Sequence, residues 1–178
     1  MENLIIKTIW IFLPAACANM APVIFKRLPF LDFPVDFNLK LRREPILGRN
    51  KTWRGYFVGI IFAIIITHFQ KVFYPETKFL CALDYSQINI WIFGFLSGFG
   101  ALAGDSVKSF FKRRFRIAPG KSWIPFDQLD WIIGANFFIS FYIIIEAKYI
   151  TTSLILLAIL HPLINYFGYK LNLKENKF

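Results

Sequence analysis

Residues 100–135 read GALAGDSVKSFFKRRFRIAPGKSWIPFDQLDWIIGA. An apolar run ends at Asp105, six basic residues and a Pro-Gly pair follow, and a second apolar run opens on Asp127 and Asp130. The pattern predicts two helices meeting at one edge of a membrane, because apolar segments surrender to charge only where polar groups find water or partners. Asp127 and Asp130 stand three residues apart, which puts both carboxylates on one helix face. Asp105 follows Gly104 at the matching end of the preceding helix. Ionisable groups at that depth are costly to place and are candidate functional residues by default.

Outward from this stretch the chain stays apolar. Of 178 residues, 56% are hydrophobic and 22 are Phe, with a mean hydropathy of +0.49. That exceeds what one small soluble interior hides and excludes a disordered chain. Five segments approach the ~20 apolar residues that a ~30 Å hydrocarbon core requires: residues 4–25, 56–74, 88–103, 131–145 and 150–169. The third and fourth are short, and the third can continue as helix into the charged stretch. Pro162 is expected to kink the fifth. The small residues Ala16, Cys17 and Ala18 resemble a cleavage site, but apolar character continues through Phe25, so the first segment reads as a retained span. The expectation is an all-α, polytopic integral membrane protein of about five transmembrane helices, a single domain over residues 1–178 with two basic connections.

The net charge of +10 would by itself suggest nucleic acid or an anionic surface. Its distribution argues otherwise. Of 21 Lys and Arg, 17 lie in the connections 26–54 and 105–130 and in the tail from Lys170, leaving Lys7, Lys71, Lys78 and Lys148 on the opposite side. Such a bias places the N-terminus outside and the C-terminus in the cytoplasm of a cell membrane, with the aspartates at the cytoplasmic face. No nucleic-acid partner is expected.

Three carboxylates at one level among basic side chains suit a divalent metal that carries a phosphate ligand. Magnesium prefers oxygen donors and is held by one or two carboxylates together with substrate phosphates, while Lys and Arg neutralise the remaining charge. Taken singly, Asp127 and Asp130 could simply complement the positive end of a helix dipole. A third aspartate on another helix goes beyond capping. His68 and His161 read as structural, and Cys17 and Cys81 lack ligand-like neighbours. Gly48 to Thr52 is no P-loop, since Asn50 stands where the glycine before Lys51 belongs and no strand precedes it.

The run GD-x-x-x-S-x-x-KRR, then PG, then DQ-x-D, resembles the CDP-archaeol synthases, relatives of phosphatidate cytidylyltransferase. Asn50-Lys51-Thr52-x-Arg54-Gly55 is similar to that family's first-loop block. The resemblance implies transfer of a cytidylyl group from CTP to a lipid phosphate of the unsaturated archaeol diether type, releasing pyrophosphate. It implies magnesium ligation by Asp105, Asp127 and Asp130. It implies a catalytic role for Lys112 beside these aspartates, and nucleotide contacts from Asn50, Lys51, Thr52, Arg54, Ser109, Arg113, Arg114 and Gly120. The partners implied are CTP, the lipid phosphate and membrane lipids, with a homodimer as one option. Gln128 replaces the Arg of the phosphatidate enzymes, and their His-Gly-Gly stretch is absent, so a diacyl acceptor is the secondary reading. From another class, a non-catalytic protein that binds anionic lipid or serves a transporter would use the basic loops electrostatically.

Overall fold

The computed structural model describes residues 2–118 and 121–170, with side chains at most of these positions. Helix α1 is Glu2–Ile24; a loop carrying a small hairpin, β1 Lys40–Leu41 and β2 Glu44–Pro45, leads to α2, Trp53–Val72. A one-turn helix α3, Tyr74–Thr77, and the tight turn Lys78–Leu80 precede α4, Ile90–Arg114. Then come α5, Phe126–Ile139, and α6, Ala147–Lys170.

Local chemistry marks these starts and stops. Thr52 caps α2 by accepting from the Gly55 amide at 3.2 Å, and Asn89 caps α4 by accepting from Trp91 and Ile92. Lys112, Arg113 and Arg114 fall in the last turn of α4 and Asp127 in the first turn of α5, each complementing the helix dipole at its end.

By length and apolar composition α1, α2 and α4 can cross a membrane, and α6 runs for 24 residues with an apolar stretch over Ala147–Leu160. The expected fourth span needs correction. Helix α5 starts at Phe126, so it contains both aspartates, and it ends at Ile139 rather than at residue 145. Its 14 residues reach about 21 Å, short of the ~30 Å core. The chain leaves the helix where Tyr142 crosses to α4 and its hydroxyl accepts from the Asn89 amide at 2.8 Å, after which Ile145 and Tyr149 bury in the core. Helix α4, by contrast, runs through the charged stretch to Arg114.

Helix α4 is the central element, packed on α5, α2 and α1, while α6 closes against α5 and α1. The apolar core gathers Ile11, Phe12, Phe93, Ile132 and Ile139 with Tyr85 and Ile88 of the segment before α4, and it extends along the bundle to Ala101 and Trp131, close to the aspartates. Near the aspartates, α4 and α5 meet backbone to backbone. A Cβ on Gly104 would run into the Asp130 carbonyl oxygen, one on Gly134 into the Gly100 carbonyl oxygen, and one on Gly100 would lie 2.7 Å from the Gly134 carbonyl oxygen.

Because the obstacle at Gly104 is backbone, Gly104→Ala must push α5 away from α4. Thermal unfolding in detergent should show a loss of about 1–3 kcal/mol for this variant. An unchanged melting temperature would mean that the two helices are not in this close register.

Candidate functional site

The α4–α5 contact sets three aspartates around one ammonium group. Lys108 Nζ lies 2.9 Å from Asp105, 3.1 Å from Asp127 and 2.6 Å from Asp130. Lys51 reaches in from the first loop to pair with Asp105, and Lys112 approaches both oxygens of Asp127 at 3.1 and 3.2 Å. Lys112 also donates to the Lys121 carbonyl, and the Trp123 amide donates to Asp127. Three lysines therefore balance three aspartates in a cluster that is mostly out of solvent, with the Asp130 side chain 5% exposed. Charges so placed need such pairing, since desolvation otherwise outweighs their attraction.

The first loop delivers Lys51 because it is tied in place at several points. Asp36 accepts from the amides of Asn38, Leu47 and Gly48 at 3.1, 2.7 and 3.2 Å, which lets the loop turn back on itself. Five residues of this loop, Leu31, Phe37, Asn38, Arg42 and Arg43, adopt left-handed backbone angles that such ties must hold. The Val35 amide donates to the Lys51 carbonyl at 2.8 Å. Tyr56 joins α2 to α4 through a 2.7 Å hydrogen bond with Ser106, the residue after Asp105.

Above the cluster opens a cavity of about 520 Å³, lined by Arg49, Asn50, Lys51, Asp105, Lys108, Ser109, Lys112 and Arg113 among others. A second cavity of about 690 Å³, within the first loop, shares Pro45, Gly48 and Arg49 with it. Both volumes fall in the range of roughly 300–1,000 Å³ that small-molecule sites occupy. Arg113 faces this space with its Nε unpaired among the described residues.

The candidate residues thus divide. Asp105, Asp127, Asp130, Lys112, Lys51, Asn50, Ser109 and Arg113 come together at or around the cluster, with the Ser109 hydroxyl donating to the Asp105 carbonyl at 2.9 Å. Thr52 is the α2 cap. Buried Arg54 turns the other way, to the Leu28 carbonyl at 2.5 Å and Asp32 at 2.7 Å. Arg114 donates to the carbonyls of Leu41, Glu44 and Pro45 and lies over the Phe110 ring, which fastens the hairpin to α4. Gly120, with Pro119, lies outside the described residues. Lys108 is the residue that sequence reasoning left out of the site. Its signal was the helical spacing Asp105, Lys108, Lys112, which places all three on one face.

The donor chemistry fits a divalent cation, since all three side chains offer hard oxygens and Asp130 Oδ1 is buried without a hydrogen bond among the described residues. Among the described residues no group of three acidic, His or Cys side chains is placed to hold a metal ion as it stands, and Lys108 Nζ lies among the three carboxylates.

Comparison with known proteins identifies the family. The family model for CarS-like CDP-archaeol synthases matches residues 1–178. The chain belongs to the CDP-archaeol synthase family. A CDP-archaeol synthase of Archaeoglobus fulgidus is 34% identical, covering 98% of each chain, and one of Methanococcus vannielii is 37% identical, over 97% of this chain and 96% of that one. A solved structure of an intramembrane enzyme for archaeal membrane lipids biosynthesis superposes with a TM-score of 0.71 at 26% identity, covering 88% of this chain and 91% of that one. That intramembrane enzyme shares the helical architecture described above.

Removing the Arg114 guanidinium deletes three anchors of the hairpin at once, and Lys cannot replace its fork of donors. Arg114→Ala should lower the cost of opening the loop by about 1–3 kcal/mol. Limited trypsinolysis with mass-spectrometric readout should show faster cleavage at Lys40, Arg42 and Arg43; an unchanged rate would free the hairpin from this role.

Proposed function

We infer that this chain transfers a cytidylyl group from CTP to an archaeal lipid phosphate, forming a CDP-activated lipid and releasing pyrophosphate. The observation that carries the site assignment is the cluster of three lysines and three aspartates beneath a basic cavity. Family membership favours an archaeol-type acceptor over a diacyl one.

The chemistry asks little covalent work of the protein. A lipid phosphate oxygen attacks the α-phosphorus of CTP, the bond from that phosphorus to the α,β-bridging oxygen breaks, and pyrophosphate departs with the electron pair. The protein must align the two phosphates and offset charge that builds on the leaving group. Lys51, Lys112 and Arg113 border the cavity and are suited to hold the β- and γ-phosphates. Asp105, Asp127 and Asp130 would hold magnesium, which when bound supplies charge neutralisation at the transferring phosphoryl group. Exposed apolar side chains at Val107 and Phe111 flank Lys108 and Lys112 on α4, an arrangement suited to a lipid whose phosphate reaches the cluster from the bilayer side.

We also propose that the N-terminus faces out and the cavity faces the cytoplasm of the cell membrane, a reading supported by the basic bias of the loops around the cavity. In a background without Cys17 and Cys81, Ser86→Cys should react with an impermeant maleimide on intact cells and Lys40→Cys only after permeabilisation. The reverse pattern would invert the topology.

Purified protein in nanodiscs, supplied with labelled CTP, magnesium and unsaturated archaeol-type phosphate, should make labelled CDP-lipid. Asp127→Asn should lower kcat by about a hundredfold or more, as loss of a metal ligand implies. Wild-type turnover unaffected by chelation, or full activity in the variant, would remove the aspartates from the chemistry.

A further inference from the structure

We propose that Lys108 holds the three aspartates together before nucleotide arrives and transfers its ammonium to the triphosphate when nucleotide and divalent ion enter, so that the two ligands bind cooperatively. The proposal rests on the reading that the aspartates hold a divalent ion.

Geometry separates Lys108 from its neighbours. Lys51 pairs with Asp105, and Lys112 with Asp127 and a carbonyl, whereas Lys108 alone among the described lysines touches all three carboxylates. Its Nζ occupies the point where the carboxylates converge, so a divalent ion shared by them cannot enter while it stays. Like charges this close repel strongly in a poorly solvated site, so the aspartates cannot be left without a cation between them. Two cations at that point are excluded for the same reason.

The side chain also has somewhere to go. Lys108 lines the 520 Å³ cavity, on the same helix as Ser109, Lys112 and Arg113. A flexible four-carbon stem allows an ammonium to change partners without moving its helix. Apart from Asp105, the charged groups that line the cavity around the ammonium are other cations, namely Lys51, Lys112, Arg49 and Arg113. A triphosphate reverses that, presenting oxygens to Lys108 as the divalent ion takes over the carboxylates. Metal alone must therefore evict Lys108 into a basic cavity, and nucleotide alone must draw it from buried Asp130, whose one cation among the described residues it is. Each ligand removes the penalty the other faces, and linkage requires the gain to be equal in both directions.

The test measures Mn2+ affinity by electron paramagnetic resonance on the full chain in nanodiscs. It is run with and without a CTP analogue carrying a methylene between the α- and β-phosphorus, so no turnover enters the readout. Wild type should bind Mn2+ about tenfold or more tightly with the analogue than without it. In Lys108→Met, Mn2+ alone should bind more tightly than to wild type, with the analogue effect falling below about twofold. Lys112→Met, which removes an equal charge and a phosphate contact but leaves the centre filled, should keep most of the coupling once the analogue is raised to saturation. Lys108→Gln gives the same readout should the Met variant fail to elute as a single species. Absence of coupling in wild type, coupling undiminished in the Lys108 variants, or an equal loss in Lys112→Met overturns the proposal. If wild type binds the analogue but no Mn2+ in either state, the metal reading itself fails, which is a different result from bound Mn2+ without coupling.

Discussion

The backbone contact between α4 and α5 is the constraint on which the site depends. Two helices approach this closely only where neither carries a Cβ, and Gly100, Gly104 and Gly134 supply that condition. The contact lies one residue from Asp105 and involves the Asp130 carbonyl itself, so the spacing of the carboxylates follows from the spacing of the helices. Elsewhere the bundle is held by ordinary apolar packing around Phe12, Phe93 and Ile132. The same α4–α5 contact thus serves both stability and site geometry, with the apolar core reaching Trp131 beside Asp130.

Charge then dictates what surrounds that contact. Three carboxylates brought within reach of one point must be neutralised, and the structure does so with lysines from two elements rather than from one. Lys51 comes from a loop that would wander without Asp36, Arg54 and Arg114, each of which is engaged with loop backbone. These three residues act on the cluster through the loop. The result is a balanced arrangement next to a basic cavity, suited to an anionic ligand that brings its own cation.

Much of this was legible in the sequence, and the exceptions have physical reasons. Hydropathy alone locates α1, α2 and α4, because a span is a property of composition over a window. The end of α5 is not written locally: no Gly or Pro marks Ile139, and the exit is set by Tyr142 meeting Asn89, 53 residues away in sequence. Among candidate site residues, the aspartates stand out by spacing and by their cost in a membrane. Arg54 and Arg114 look like phosphate ligands for the same reason as Arg113, being basic and near the motif. Only the tertiary structure reveals that the first two are occupied by peptide carbonyls. Lys108 was obscured in the opposite sense, since register shows that it shares a face with Asp105 and cannot show that α5 brings two more carboxylates to it.

The central claim is that these three aspartates form the point where nucleotide and divalent ion meet. It is tested most directly by determining the structure with Mn2+ and the unreactive CTP analogue and recording the anomalous signal of the metal. The account predicts a peak within about 2.0–2.3 Å of carboxylate oxygens from Asp105, Asp127 or Asp130, with the triphosphate beside it. A metal peak away from all three aspartates, or a triphosphate bound outside the cavity above them, would contradict it.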